Sequence, residues 1–284
     1  MENEKFFECE NIRISMPNEI LKLHKYGYYF NDFPNKVIWN EKNKRIILRT
    51  LIDKKYLDIN KNILDSGAFF GDQSLPLSKM IKGYVYAIDP SISNLNFINK
   101  IAKANNIKNI ITYELGLSDK NEIIYTCGVI EHCVFQGSNK VNSYNPPHGM
   151  SHGNPNKSTG KIIATTIDNL YKEKKIENLS LIHLDIEGFE YPALKSSKET
   201  IKKDKPLIIW ENHIDIVHNK TGNLEYKECC KLLGELNYSS YIINEVSGGN
   251  PACRNFISVS NDNKLKFEDA IKNIISKNIV KQIW

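Results

Sequence analysis

Two acidic residues each follow a short apolar run and precede a turn, a place where side chains commonly meet ligands. Asp65 stands two residues before the glycine turn Gly67–Gly71, and Asp89 closes the next apolar run. The turn lacks the G-x-x-x-x-G-K-[ST] pattern of a phosphate loop and the three glycines of the G-x-G-x-x-G dinucleotide fingerprint. An acid here repels a pyrophosphate but suits a ligand that carries a cationic amino group.

Asp89 stands where a carboxylate can accept hydrogen bonds from both hydroxyls of a ribose, as the analogous acid does in dinucleotide folds. A ribose together with a cationic amino group indicates S-adenosylmethionine, whose methionyl end is zwitterionic and whose sulfonium is positive. A glycine turn that serves packing alone is the alternative, and the position of Asp89 counts against it. Gln73 and Ser74, at the start of the following helix, are candidate contacts to the methionyl carboxylate.

Four polar residues at the ends of two later apolar runs are candidates for the transfer chemistry. Asp185 and Glu187 close one run, and Glu211 and His213 close the next. Residues two apart on an extended chain share one face, so Glu211 and His213 form a candidate pair of orienting carboxylate and general base. A hydroxyl acceptor loses a proton during methyl transfer, and such a base can take it. A structural, hydrogen-bonded histidine is the alternative for His213.

Short apolar runs alternate with helix-like segments from Asn62 onward. The runs are residues 62–66, 83–89, 109–117, 179–187, 206–213, 238–246 and 255–260. This alternation predicts βαβ units and a mostly parallel sheet with helices on both faces, and the last two strands are close enough to run antiparallel at one edge. Ser91 is expected to cap the helix that follows it. His183 lies inside a predicted buried strand, so we expect a satisfied core or supporting side chain.

Two segments fall outside this alternation. Residues 1–60 are predicted to form an N-terminal helical cap or extension, and residues 61–284 form the main domain. A loop at 127–160, rich in Gly, Pro, Asn, Ser and His, interrupts that domain, and a loop this long is usually functional or disordered. We expect it to contact the acceptor. Its Cys and His residues are poorly spaced for zinc, because Cys127-x5-Cys133 is wider than the usual pair, so no metal site is predicted.

The composition limits which classes of partner and which cellular setting can be expected. The net charge is +5, and the basic residues are scattered singly or in pairs, so a nucleic-acid partner is not indicated, although composition alone does not exclude it. No apolar window is long enough for a membrane span or a signal peptide. The six cysteines form no CxxC pair and are expected to be reduced thiols. We therefore expect a cytoplasmic setting, whether of a cell or of a virus-infected host. The sequence leaves the oligomeric state open.

The motifs, in their order, resemble those of FkbM-family methyltransferases. Family members read DxGAxxGxxS, xEP, xLSD, TxDxL, KxDxEGxE and PxIxxExH, and the matching segments here are residues 65–74, 89–90, 117–119, 166–170, 183–190 and 206–213. The resemblance covers about residues 60 to 260, without most of 127–160. Two positions depart from it: Asp89 replaces the usual Glu, and His183 stands where the family mostly has Lys.

The resemblance implies a Rossmann-like class I methyltransferase fold with a mostly parallel seven-stranded sheet. It also implies S-adenosylmethionine as donor and O-methylation of a hydroxyl on a sugar, glycan or small metabolite. We expect the catalytic set to be His213, Asp185, Glu211 and Glu187. We expect the donor site to comprise Asp65, Ser66, Gly67, Ala68, Gly71, Gln73, Ser74, Asp89, Pro90, Asn94, Gly116, Leu117 and Asp185.

Two alternatives remain at this point. The first is an RNA ribose 2′-O-methyltransferase, which typically uses a Lys-Asp-Lys-Glu set, and the absence of lysine at the predicted strand ends weighs against it. The second is a donor-binding interaction module that has lost catalysis. The presence of Asp65, Asp89, Asp185 and His213 weighs against that reading.

Overall fold

The computed structural model describes residues 5–9, 12–16, 42–126, 135–136, 160–186, 188–213, 222–245 and 253–284. The strands are β1 (Lys5–Cys9), β2 (Ile12–Met16), β3 (Asn62–Ser66), β4 (Val85–Asp89), β5 (Ile110–Glu114), β6 (Gly116–Leu117), β7 (Glu122–Thr126), β8 (Phe135–Gln136), β9 (Gly160–Thr165), β10 (Leu179–Leu184), β11 (Leu207–His213), β12 (Tyr238–Ile243), β13 (Cys253–Ser260) and β14 (Val280–Gln282). The helices are α1 (Lys42–Asp53), α2 (Ser74–Met80), α3 (Ile92–Ala104), α4 (Ile167–Lys172), α5 (Glu190–Lys195), α6 (Lys198–Asp204), α7 (Gly222–Glu235) and α8 (Lys264–Ile275).

The main sheet has eight strands in the order β14-β12-β13-β11-β10-β3-β4-β5. The five strands from β11 to β5 are parallel to one another. Strand β13 runs antiparallel to both β11 and β12, which confirms the expected antiparallel edge. The prediction of seven strands is one short, because the three residues of β14 add a further strand along β12. The fold is therefore the predicted α/β fold with a mostly parallel sheet.

The central strands are buried on both faces, which favours apolar residues, and the polar residues among them are buried as well. Every residue of β3, β4 and β10 is buried. On one face Trp210 stacks on Phe256 with ring centroids 4.3 Å apart. On the other face, Ile209 belongs to a core cluster that also contains Ile47 of α1 and Phe267 of α8. Helices thus cover both faces, and α1 is part of one of these cores.

A second, smaller sheet interrupts the third predicted strand. Residues 109–117 do not form one strand, because β5 ends at Glu114 and β6 pairs instead with β9 of a sheet ordered β6-β9-β7-β8. This switch turns Gly116 and Leu117 away from the main sheet and toward the ends of β3 and β4. It therefore places two residues of the predicted donor site beside that site.

The N-terminal segment is not wholly helical. The sequence predicts a helical cap over residues 1–60, but in its described part β1 and β2 form an antiparallel pair and α1 is the only α-helix. Both strands are only five residues long, and Lys5–Cys9 does not alternate between apolar and polar residues, so its sequence gives no strand pattern. Whether the segment forms a separate unit stays a prediction.

Cys229 and Cys230 are buried in α7, and they join the core on the Trp210 side of the sheet. The inserted loop at 127–160 lies almost entirely outside the described residues. Within the described ranges, no helix is long and apolar enough to cross a membrane.

Candidate functional site

The glycine turn, defined here as residues 66–73, joins the C-terminal end of β3 to α2. The backbone N–H groups of Gly67 and Ala68 both donate to the carbonyl of Ile88, at 3.0 Å each. Gly71 N–H donates to the Ala68 carbonyl at 2.7 Å. Gly67 and Gly71 both have φ of +79°, a left-handed conformation that favours glycine. The turn is thereby fixed against the end of β4.

Position 67 also has no room for a side chain, so it requires a glycine. A Cβ at this position would lie 1.7 Å from the carbonyl oxygen of Asp185, which is backbone and has no freedom to move aside. Asp185 N–H in turn donates to the Ser66 carbonyl at 3.0 Å. The turn after β3 and the residue after β10 are therefore in direct backbone contact, and Asp185 lies beside the glycine turn as predicted.

Asp89 is held by the turn on one side and by α3 on the other. Its Oδ2 accepts from Phe69 N–H at 2.8 Å, and its Oδ1 accepts from Ser91 N–H at 2.8 Å and from Asn94 Nδ2 at 3.1 Å. Phe69 makes its bond from a φ of +45°, a conformation that costs a bulky residue energy. Burial raises the pKa of Asp89 to about 6, although the three donors favour the ionised form.

The side chain of Asn94 supplies a second polar group at the same place. Its Nδ2 is used on Asp89, whereas its Oδ1 is buried and has no hydrogen-bond partner among the described residues. A buried acceptor without a donor costs free energy unless a ligand or water supplies one. Ser91 caps α3, as predicted, by accepting from Asn94 N–H at 3.3 Å. A carboxylate beside an unsatisfied amide oxygen fits a vicinal diol such as a ribose.

Asp65 has a different environment, because side chains occupy both of its oxygens. Oδ1 lies 2.7 Å from His183 Nδ1, and Oδ2 accepts from the Ser74 hydroxyl in a short hydrogen bond. Asp65 and Ser74 are fully buried, and His183 is buried. His183 is thus a supporting side chain, as predicted. Direct contacts of Asp65 and Ser74 with a donor stay predictions.

A small cavity opens at the ends of these strands. Its volume is about 20 Å³, and its lining includes Ser66, Gly67, Pro90, Gly116 and Leu117, all of which the sequence assigns to the donor site. Leu115, Ile124, Ile186 and Phe189 complete the wall and make it largely apolar. A space of this size holds about one water molecule, so a nucleoside requires it to widen.

The predicted catalytic residues come from the neighbouring strands. Leu184, the last residue of β10, pairs with Trp210, so Asp185 follows the end of β10 beside Glu211 of β11. Glu211 is buried. The backbone of His213 ends β11 opposite Cys253, and its side chain lies outside the described part of the structure. Glu187 lies outside the described residues as well.

Several motif residues have structural partners instead. Glu190 accepts from Ile186 N–H at 2.8 Å and from Gly188 N–H at 2.9 Å, and it thereby shapes the turn that follows Asp185. Thr166 caps α4 by accepting from Asn169 N–H. Asp168 accepts from Thr200 N–H and its hydroxyl, at 2.8 and 2.7 Å, at the start of α6. These side chains hold the elements that carry the site.

Sequence reasoning missed Lys44, whose Nζ lies 3.2 Å from His183 Nε2. Lys44 is completely buried on α1. The signal was present, since Lys44 precedes the apolar residues Ile47, Leu48 and Leu51 at spacings of three, four and seven, which puts it on the buried face of a helix.

Three solved methyltransferase structures are similar to this chain at low sequence identity. The solved structure of methyltransferase FkbM from Methylobacillus flagellatus KT shares 17% identity with a TM-score of 0.47, over 71% of this chain and 44% of that one. Precorrin-6y C5,15-methyltransferase from Geobacter metallireducens GS-15 shares 12% identity with a TM-score of 0.44, over 80% and 91%. Magnesium protoporphyrin IX methyltransferase from Synechocystis PCC 6803, solved with bound SAH, shares 12% identity with a TM-score of 0.45, over 86% and 91%. The match thus spans less than half of the Methylobacillus chain. No curated protein sequence is significantly similar to this one.

The sheet order, the glycine turn after β3 and the acid that ends β4 define an α/β protein of the Rossmann-like methyltransferase class. Residues 65–239, more than half of the chain, match the family model described as the methyltransferase FkbM domain. The chain therefore belongs to the FkbM family of S-adenosylmethionine-dependent methyltransferases, and the resemblance found in its sequence is confirmed.

Proposed function

We propose that this chain is an O-methyltransferase that transfers the methyl group of S-adenosylmethionine to a hydroxyl of a sugar, glycan or small metabolite. The observation that carries the donor side is the pair Asp89 and Asn94 at the end of β4. A buried carboxylate with a raised pKa and a partnerless amide oxygen stand together at a ligand-binding strand end. The acceptor class follows from the family resemblance.

The residues present fit the donor in three parts. Asp89 and Asn94 would hold the ribose hydroxyls. The wall formed by Leu117, Ile124 and Phe189 suits the apolar faces of a nucleobase once the cavity widens. The glycine turn and Asp185 would lie along the methionyl end. We place no metal in this arrangement.

The bound sulfonium would supply an activated methyl group, and the protein's own task is alignment and proton removal. Holding an acceptor oxygen in line with that methyl group can supply much of the rate. His213 would take the acceptor proton, with Glu211 two residues earlier on the same strand face to orient it. Asp185, beside Gly67, would orient donor or acceptor at the junction of the two half-sites.

Calorimetry with S-adenosylhomocysteine, combined with a radiolabelled methyl-transfer screen, tests this proposal. The screen covers glycans, nucleotide sugars, small hydroxylated metabolites and capped RNA. We expect donor-product binding and transfer to a non-RNA hydroxyl. Transfer to RNA with a steep salt dependence would instead indicate the ribose 2′-O-methyltransferase. Tight binding without transfer to any acceptor would indicate an inactive binding module.

A variant pair separates the acceptor side from the donor side. His213→Ala is expected to bind S-adenosylhomocysteine normally but to lose about 100-fold or more of turnover, the usual contribution of a general base. Lys79→Ala, on the outer face of α2, is the matched control and should behave as the unmodified protein. Full turnover in His213→Ala would show that the base is another residue.

A further inference from the structure

A buried row of polar side chains connects α1 to the glycine turn. Lys44 Nζ lies 3.2 Å from His183 Nε2, and His183 Nδ1 lies 2.7 Å from Asp65 Oδ1. Ser74 Oγ donates to the other oxygen of Asp65. Each of these four residues is at most 3% exposed. The row therefore extends from α1, which precedes the matched family domain, past the neighbouring strands β10 and β3 to the start of α2.

The donor capacities of a lysine ammonium set a direction for these bonds. With Lys44 as an ammonium, which has three N–H donors and no acceptor, Nε2 of His183 accepts from Lys44 and Nδ1 of His183 donates to Asp65. Each buried polar group in the row then has a hydrogen-bond partner, as a low-dielectric interior requires.

Asp65 connects the two ends of the glycine turn, one through its backbone and the other through its side chain. Its own backbone lies in β3 just before the turn, and its Oδ2 receives the hydroxyl of Ser74, the first residue of α2. The carboxylate thus fixes the distance across residues 66–73. Gly67 and Ala68, which contact the end of β4, lie within the segment that this carboxylate bridges.

Helix α1 is itself anchored where it presents Lys44. Glu245 accepts from the backbone N–H groups of Asn43 and Lys44, each at 2.6 Å, so a single carboxylate holds the first turn of the helix. Ile47 and Leu51 bury the same face in the core beneath β3 and β10. Lys44 therefore has a fixed position relative to His183.

We infer that Lys44 is a positioning residue for methyl-donor binding, which acts through His183 and Asp65 to hold the glycine turn in its binding geometry. This inference rests on the proposed donor site and deepens it. It makes α1, outside the matched residues 65–239, a working part of that site.

The experiment compares Lys44→Met with Lys54→Met, which removes an exposed lysine just past the end of the same helix. S-adenosylhomocysteine affinity is measured by calorimetry well below each variant's unfolding temperature. We expect at least a tenfold loss of affinity in Lys44→Met and none in Lys54→Met. Unchanged affinity in a folded Lys44→Met protein would overturn the inference and leave the proposed donor site standing.

Moving the charge distinguishes a positioning role from plain packing. In the double variant Lys44→Met/His183→Lys, the new ammonium starts from the strand position that already contacts Asp65 and restores one cation to the row. We expect its affinity to return to within threefold of the unmodified protein. If Lys44→Met alone fails to fold, folding and binding by the double variant still decide the matter, and failure of both contradicts the inference.

A measurement without ligand separates this inference from the proposed function. Nitrogen-15 NMR should show His183 protonated at Nδ1 and unprotonated at Nε2. The amide signals of Gly67 and Gly71 should shift in Lys44→Met and not in Lys54→Met. If the unmodified protein binds no S-adenosylhomocysteine, the donor site fails; unchanged turn amides in Lys44→Met would refute the positioning role independently.

Discussion

Asp65 and Asp89 end neighbouring parallel strands, yet the protein surrounds them in opposite ways. Asp65 is fixed by side chains from β10 and α2, with a lysine of α1 behind them. Asp89 is held by the backbone N–H groups of Phe69 and Ser91 and by one amide side chain. One acid is linked through His183 to a buried lysine, whereas burial raises the pKa of the other to about 6.

This difference in surroundings assigns different expected roles to the two acids: Asp65 supports the turn, and Asp89 binds the donor. The partners of Asp65 are buried side chains, so a ligand cannot replace them without opening the core. Asp89 is held by Phe69 of the glycine turn, by Ser91 just after β4 and by Asn94 of α3, and Phe69 donates its N–H from a strained backbone. A ligand with two hydroxyls can take over such contacts. We therefore expect Asp65 to govern the fold of the turn and Asp89 to govern donor affinity.

Asp65→Ala should have the largest effect. It leaves Lys44 and His183 buried without their anion, and removing one partner of a buried charge pair typically costs about 3–5 kcal/mol. Urea denaturation should show this loss, and donor binding should be lost with it. Ser74→Ala removes only one hydrogen bond to the carboxylate, so it should cost about 1.5–3 kcal/mol. A stability change in Asp65→Ala no larger than that of Ser74→Ala would contradict the supporting role.

Asp89→Ala should reverse the pattern. The hydrogen bonds to both ribose hydroxyls are lost, and S-adenosylhomocysteine affinity should fall about 100-fold, since bonds to a charged group contribute about 1.5–3 kcal/mol. The free energy of unfolding should change far less than in Asp65→Ala, because an acid with a raised pKa destabilises the folded state at neutral pH. Calorimetry and urea denaturation of the same sample test both halves. Unchanged affinity would remove Asp89 from the donor site.

The sequence predicted the strands and the turn that carry these two acids, because local patterns determine those elements. Apolar runs that close on acids located β3 and β4, and two glycines at left-handed positions located the turn. Strand ends in a parallel sheet meet at one edge, and in the structure Asp65, Asp89 and Asp185 all contact the glycine turn or its ends. The cap at Ser91 depends on neighbours three residues apart and was equally accessible.

What the sequence did not predict depends on contacts between distant segments. Lys44 and His183 are 139 residues apart, and no local pattern states that they meet. The split of residues 109–117 into β5 and β6 depends on pairing with β9, which lies beyond the inserted loop. The edge strand β14 arises from pairing with β12 and not from its own three residues. Asp168 looked like a motif acid, and only the position of α6 shows that it is a cap.

The pH dependence of binding should sharpen the contrast through a smaller effect. The pKa of Asp89 is raised from 3.8 to about 6, so lowering the pH through 6 protonates it and removes an acceptor of two hydroxyls. Affinity for S-adenosylhomocysteine should fall about tenfold by pH 5, the ratio set by the protonated fraction. The stability of the unliganded protein changes in the opposite direction. The folded state binds this proton more tightly than the unfolded state, so protonation of Asp89 stabilises the fold at low pH, and this stabilisation is lost as the pH rises through 6. Asp89→Asn should abolish the pH dependence of both affinity and stability between pH 5 and 7. If either dependence persists in Asp89→Asn, another titratable group causes it.

The smallest effect is expected for Asp168→Ala, a motif acid that is remote in role from both Asp65 and Asp89. Its carboxylate caps α6 through Glu199 N–H, Thr200 N–H and the Thr200 hydroxyl. Loss of a helix cap costs about 1 kcal/mol, so urea denaturation should show a modest decrease in stability. Calorimetry should show unchanged S-adenosylhomocysteine affinity, because none of these bonds involves the glycine turn or the end of β4. A loss of affinity in a stably folded Asp168→Ala protein would mean that the donor site extends through α4 and α6, and the division between supporting and binding acids would then have to be redrawn.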